Sequence, residues 1–248
     1  MKMLTFAKRC TKEILRDPLN LMFGLGFPIV LLLLLSAIQA NVPVDLFNIK
    51  SLAPGVAVFG LSFMTLFSAT LIAKDRESAL LQRLYTTPLR ASDFICGYLL
   101  PMIPMAMAQS TVCYLVAIAL GLPCSIDIIY AILTTLPICV FHVSLGLLCG
   151  SIFDVKQVGG ICGALLTNLS AWLSGVWFDL DLVGGAFQKI AYLLPFVHAV
   201  ELERSIIARN FSDAIAHIYP VVGYSIFTLL CAILLFLRQM KNRDRSRF

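Results

Sequence analysis

Six stretches of this chain, each roughly the length that spans a bilayer as a helix, hold almost no charged side chains. In hydrocarbon every backbone N–H and C=O must pair within the protein, which leaves helices or closed barrels as spanning structures. A barrel would read as alternating polarity in segments of about 10 residues, and none is visible. The expected fold is an all-α membrane protein with six transmembrane helices. They are placed at about 19–39, 52–73, 94–121, 128–153, 158–178 and 217–237, within one membrane domain over residues 1–248. Charged residues are 13% of the chain, about half of what a soluble domain carries. The first stretch is longer than a signal-peptide core and lacks a small-residue cleavage site, so it reads as an anchor.

Lys and Arg set the orientation, because the inner face retains positive charge. The N-terminal tail, the loop 74–93, the turn at Lys156 and the C-terminal tail hold fifteen of them. The opposite side holds four: Lys50, Lys189, Arg204 and Arg209. Both termini are expected in the cytoplasm, at the plasma membrane. The net charge of +5 follows from topology and attraction to anionic lipid, and nothing resembles a basic–aromatic surface for nucleic acid.

Residues 3–17 read as an interfacial helix, with Leu4, Ala7, Ile14 and Leu15 near one face and Lys8, Arg9, Lys12 and Arg16 elsewhere. Asp17-Pro18 ends it. The segment 74–93 is the one long charged handle between spans. Asp75 is placed to cap a helix start. Leu80, Leu81, Leu84 and Tyr85 form a narrow apolar stripe, and Thr87-Pro88 ends the helix. Such a stripe suits either a soluble partner or the bilayer surface.

The third span holds Pro101 and Pro104, which bend a membrane helix. Asp154–Gln157 reads as a short cytoplasmic turn. The fifth span is rich in small residues, from Gly159 and Gly160 to Ser174 and Gly175, and small residues let helices approach closely. Its partner is another span or a second subunit. Residues 179–216 are too interrupted to span and too apolar for a free loop, so a re-entrant helical hairpin on the outer leaflet is expected.

No catalytic constellation is apparent. HExxH and GxSxG are absent, and no CxxC pair occurs among the eight cysteines. No metal site or catalytic residue is assigned. His142 and His198 read as isolated. Gln109, His142 and Asn168 are the strongly polar mid-span side chains, and they either tie helices together or line a substrate path. There is no GxxxxGK[ST] phosphate loop, so ATP could act on this chain only through another polypeptide. On the residues alone, an intramembrane lipid-modifying enzyme and a non-transporting scaffold stay open beside a transport subunit.

One segment carries a family likeness. Arg76, Glu77, Leu84, Thr87 and Pro88 match the pattern R-E-x-G-T-x-E-x-L-x-x-T-P of type-2 ABC transporter permeases, while Ala79 and Gln82 depart from it. Leu194-Pro195-Phe196, with Ala199, Glu201 and Arg204 after it, resembles the outer segment of the same family. The resemblance covers nearly the whole chain. It implies a non-catalytic membrane subunit of an exporter class that moves drug-like, lipid or glycan substrates, of bacterial type. It further implies a second permease subunit, homodimeric or heterodimeric, and a cytoplasmic ABC ATPase subunit that binds ATP and Mg. Residues 3–17 would then be an elbow helix and 76–86 a coupling helix. Arg76, Glu77, Leu80, Leu81, Arg83, Leu84, Thr87 and Pro88 would dock the ATPase subunit.

Overall fold

The computed structural model describes residues 2–43, 47–78, 80 and 91–245, which are helical almost throughout with no strand among them. Helix α1 is Lys2–Leu15. Asp17 then adopts an extended backbone before Pro18, and its carboxylate accepts the Asn20 N–H, starting α2, Pro18–Asn41. Ile49–Glu77 is α3, Ala91–Ala119 is α4 and Asp127–Ile152 is α5. A helical run over 155–173, here α6, contains a widened π-type stretch at Gly159–Leu166. Short helices α7 (Leu180–Val183), α8 (Gly185–Leu193) and α9 (Pro195–Ile207) precede α10, Phe211–Arg245.

Among the described residues five helices are long and apolar enough to cross a membrane: α2, α3, α4, α5 and α10. The sixth expected span, 158–178, corresponds to α6, which is not one of the five. It ends at Leu173, and Lys156, Gln157, Thr167, Asn168 and Ser170 dilute its apolar character. The expected turn at Asp154–Gln157 is itself the first turn of α6. Asp154 accepts the Gln157 N–H at 2.8 Å, and Gln157 accepts the Asp154 N–H at 3.2 Å, a reciprocal capping box.

Helix α3 is the axis of the molecule. Its most apolar window is 89% buried, against 17% for α2. The outward side chains of α2 and α10, such as Leu19, Val30, Phe227 and Leu234, are apolar and exposed, as lipid-facing surfaces require. α5 packs along α3 at close range because two of its glycines face α3. A Cβ on Gly146 would strike Ser68 and Thr65, and one on Gly150 would strike the Ala69 backbone. This is the small-residue contact by which membrane helices gain dispersion energy.

The N-terminal helix presents a different face from the one the sequence suggested. Phe6, Ala7, Cys10 and Ile14 are buried, whereas Leu4 and Leu15 are 57% and 62% exposed. Phe6 sets its ring edge-on to Phe94 and Tyr98 of α4. Residues 6, 10 and 14 recur at four-residue spacing, so α1 lies against α4 along that stripe.

Candidate functional site

The chain comes together at the last turn of α3, where four consecutive charged residues leave the helix at about 100° intervals. Each finds a different neighbour. Lys74 reaches Asp17, at the start of α2, at 3.4 Å. Asp75, 1% exposed, accepts both terminal nitrogens of Arg9 from α1 and the Tyr98 hydroxyl from α4, the latter at 2.7 Å. Arg76 donates to the carbonyls of Ser151 and Phe153 at the end of α5. Glu77 accepts the Val155 N–H at the start of α6, at 2.9 Å.

The chemistry of this turn is positional. Arg9 makes a two-point, charge-assisted contact with Asp75 and also pairs with Glu13 at 2.5 Å. Arg76 satisfies carbonyls that the C-terminus of α5 would otherwise leave without a helical donor. One helical turn thus fixes α1, the start of α2, α4, the end of α5 and the start of α6. Cys10 is buried beside Arg9, and burial pushes its thiol up to about 12.

Asp75 therefore does not cap a new helix. α3 continues through it to Glu77, and its carboxylate is taken up by Arg9 and Tyr98. Of the residues expected to dock a partner, Arg76 and Glu77 are bonded within the chain and Leu80 is half-buried. Leu81, Arg83, Leu84, Thr87 and Pro88 lie outside the described residues.

The polar mid-span residues are not brought together by any hydrogen bond among the described residues. Gln109 is buried and donates to the Ala57 carbonyl at 3.2 Å. His142 is buried, with Nδ1 3.1 Å from the Thr65 hydroxyl, which also donates to the His142 carbonyl at 3.0 Å. Asn168 is exposed on α6 and donates to its own helix at the Ala164 carbonyl. His198, read as isolated, faces His217: their Nδ1 atoms are 2.9 Å apart. The two lie 19 positions apart in sequence, on either side of the turn into α10, which returns the chain on itself.

Sequence reasoning missed Arg9 and Tyr98, and also Glu203. Glu203 of α9 is fully buried, accepts the Tyr114 hydroxyl of α4 and leaves its second oxygen without a partner among the described residues. The one available signal was the placement of single polar residues beside buried apolar ones: Arg9 next to Cys10, Tyr98 one turn from Phe94.

Comparison with known proteins adds a family. The model of the ABC-2 type transporter family matches residues 1–208. Nodulation protein J of Bradyrhizobium diazoefficiens is 25% identical over 231 residues, covering 91% of this chain and 85% of that protein. ABC transporter G family member 20 of Dictyostelium discoideum is 26% identical over 212 residues, which is 81% of this chain. The chain spans 28% of the length of that larger relative.

Proposed function

The chain belongs to the ABC-2 type transporter family, and from that membership we propose that it is the membrane subunit of an ATP-driven exporter. In this reading the cargo is an amphipathic, drug-like, lipid or glycan molecule. ATP and Mg are bound by a separate cytoplasmic ABC ATPase subunit, and a second permease subunit completes the path. The membrane is the plasma membrane of a bacterium, both termini are cytoplasmic, and residues 1–248 form one membrane domain. α6 serves as the fifth of six spans, α1 as the elbow helix along the inner leaflet, and α7 to α9 as the outer re-entrant hairpin.

The observation that carries the reading is the four-way anchoring of Lys74, Asp75, Arg76 and Glu77. It sits immediately before the segment whose sequence matches the coupling motif. Leu80, Leu81, Arg83, Leu84, Thr87 and Pro88 would meet the ATPase, with Arg76 and Glu77 as the positioning residues behind them. A push on that segment would then move α1, α4, α5 and α6 together. A conformational change requires an interaction that differs between the two states, and ATP binding by the partner would supply it. Asn168 shares an exposed face of α6 with Gly160, Ala164 and Trp172, which suits a path between two subunits. Gln109 and His142 act as interhelical ties.

The test is site-specific photo-crosslinking in native membranes, with benzoylphenylalanine replacing Leu84 or, as a control at the far end of α4, Leu120. Capture of an ATP-binding subunit from position 84 and not from position 120 is the expected result. Equal capture from both, or none from 84, would overturn the docking assignment.

A further inference from the structure

At the end of the bundle remote from Asp75, a cavity of about 450 Å³ opens between the first turn of α3, the link from α6 to α7, and helices α8 and α9. Aromatic rings of Trp177, Phe178 and Tyr192 form part of its wall, and Asp179, Asp181 and Glu201 supply three carboxylates. Among the described residues Arg204 is the single cation lining it.

Arg204 is spent on the protein. Its Nη1 donates to Glu201 at 2.8 Å, its Nη2 to the Gly175 carbonyl at 2.9 Å and its Nε to the Ser51 carbonyl at 3.2 Å. One carboxylate of three is thereby balanced, and the described lining residues keep a formal charge of −2. The Tyr192 phenol registers this field: burial first, then Glu201, Asp181 and Asp179, push it above its ordinary value. Asp179 accepts the Asp181 N–H at 3.0 Å, and Asp181 accepts from the Gln188 amide, so the acids are held by the short helices.

Size and chemistry narrow the occupant. Among the described residues no group of three His, Cys, Asp or Glu is placed to hold a metal ion, so the carboxylates are too dispersed to wrap a bare cation. The volume lies in the range of small-molecule sites. Aromatic faces attract cations through the ring quadrupole, most strongly where water is partly excluded. We propose that this cavity is a binding site for an organic cation, an amine or quaternary ammonium on an apolar body, with its head between the carboxylates and the rings of Trp177 and Tyr192. The site stands apart from the ATPase reading, since it requires neither ATP nor a docked partner.

The chain has two tryptophans, and Trp172 lies outside the cavity lining. The full-length Trp172→Phe variant in lipid nanodiscs therefore carries one fluorophore, Trp177, at the site. Benzyltrimethylammonium is titrated against its uncharged isostere neopentylbenzene. A saturable change in Trp177 emission with the cation and not the isostere is expected, and Asp181→Asn with Glu201→Gln should weaken it by about tenfold or more. Nanodiscs of phosphatidylglycerol and of phosphatidylcholine separate the sources of the cation. A response lost only in phosphatidylcholine identifies a lipid headgroup as occupant, and an equal response in both identifies a free cation. Binding of the isostere as tight as that of the cation, or no saturable response in phosphatidylglycerol, would overturn the proposal. That comparison needs no acidic-residue variant, so a misfolded double variant does not spoil it.

Discussion

Removing Arg9 should release α1 from the bundle, and by much more than neutralising its partner. Asp75 is 1% exposed and holds two bonds from Arg9 and one from Tyr98. Stripping one partner from a buried ion pair costs about 3–5 kcal/mol, because the remaining charge is stranded. The Arg9 side chain is 35% exposed, so water replaces part of what is lost and about 3 kcal/mol is the reasonable figure. At about 1.4 kcal/mol per decade this shifts the docking equilibrium of α1 by roughly a hundredfold. Asp75→Asn strands a cation that is already part-hydrated and still paired with Glu13, so its cost should be about 1 kcal/mol, or roughly fivefold. The Arg9→Ala/Asp75→Asn double variant should fall near the milder single one.

Cys10 supplies the readout. Docked, it is fully buried with its thiol raised to about 12, whereas an undocked thiol ordinarily titrates near about 8.5. Maleimide labelling followed residue by residue by mass spectrometry gives the opening rate, with exposed Cys124, in the link between α4 and α5, as the internal control. Arg9→Ala should accelerate Cys10 labelling about a hundredfold over the unaltered chain. Equal labelling in Arg9→Ala and Asp75→Asn, or no acceleration in either, would refute the stranded-charge reasoning.

Two further outcomes follow from the packing. Gly150→Ala places a methyl against the Ala69 backbone and should cost about 1–3 kcal/mol. Gly223→Ala, whose Cβ meets nothing within 4 Å, should be neutral or slightly stabilising; thermal unfolding in detergent compares the two. Burial pushes the Glu203 carboxyl up to about 8, above its ordinary value near about 4.3. The folded state therefore holds this proton more tightly than the unfolded chain. That stabilisation is full below the ordinary carboxylate range and is lost as pH rises toward about 8. Thermal unfolding at pH 5 and pH 8.5 should show the loss in the unaltered chain and a flatter profile in Glu203→Gln.

The spans were legible because a bilayer demands long apolar runs, and helices α2, α3, α4 and α5 begin and end close to the expected limits. Helix α10, Phe211–Arg245, departs from its expected 217–237: it takes in 211–216, expected as the end of the outer hairpin 179–216, and runs on past 237. What each apolar face touches was not legible. Lipid and protein both accept Leu and Phe, so hydropathy does not distinguish the exposed Leu4 and Leu15 from the buried Phe6 and Ile14. The anchoring turn was hidden for another reason. Its charges looked like a handle for a partner, and the groups they actually bind lie 23 to 78 positions away in sequence. Asp75 in isolation has the chemistry of a helix cap; only the return of α1 beside α3 shows that it pairs with Arg9. α6 blurred because a helix that packs on protein along one side can hold Asn168, Ser170 and several glycines without losing its shape.

The central claim, that this chain is the membrane half of an ATP-driven transporter driven through the segment after α3, is tested most directly by purifying it from its native membranes in mild detergent. The measurement is the stoichiometry of any co-purifying ATP-binding subunit together with ATP hydrolysis, for the unaltered chain and for Leu84→Arg. A stoichiometric, hydrolysing partner that is lost in Leu84→Arg, with membrane insertion unchanged, is the predicted result. A chain recovered alone and without hydrolysis, or a partner retained equally by both forms, would contradict it.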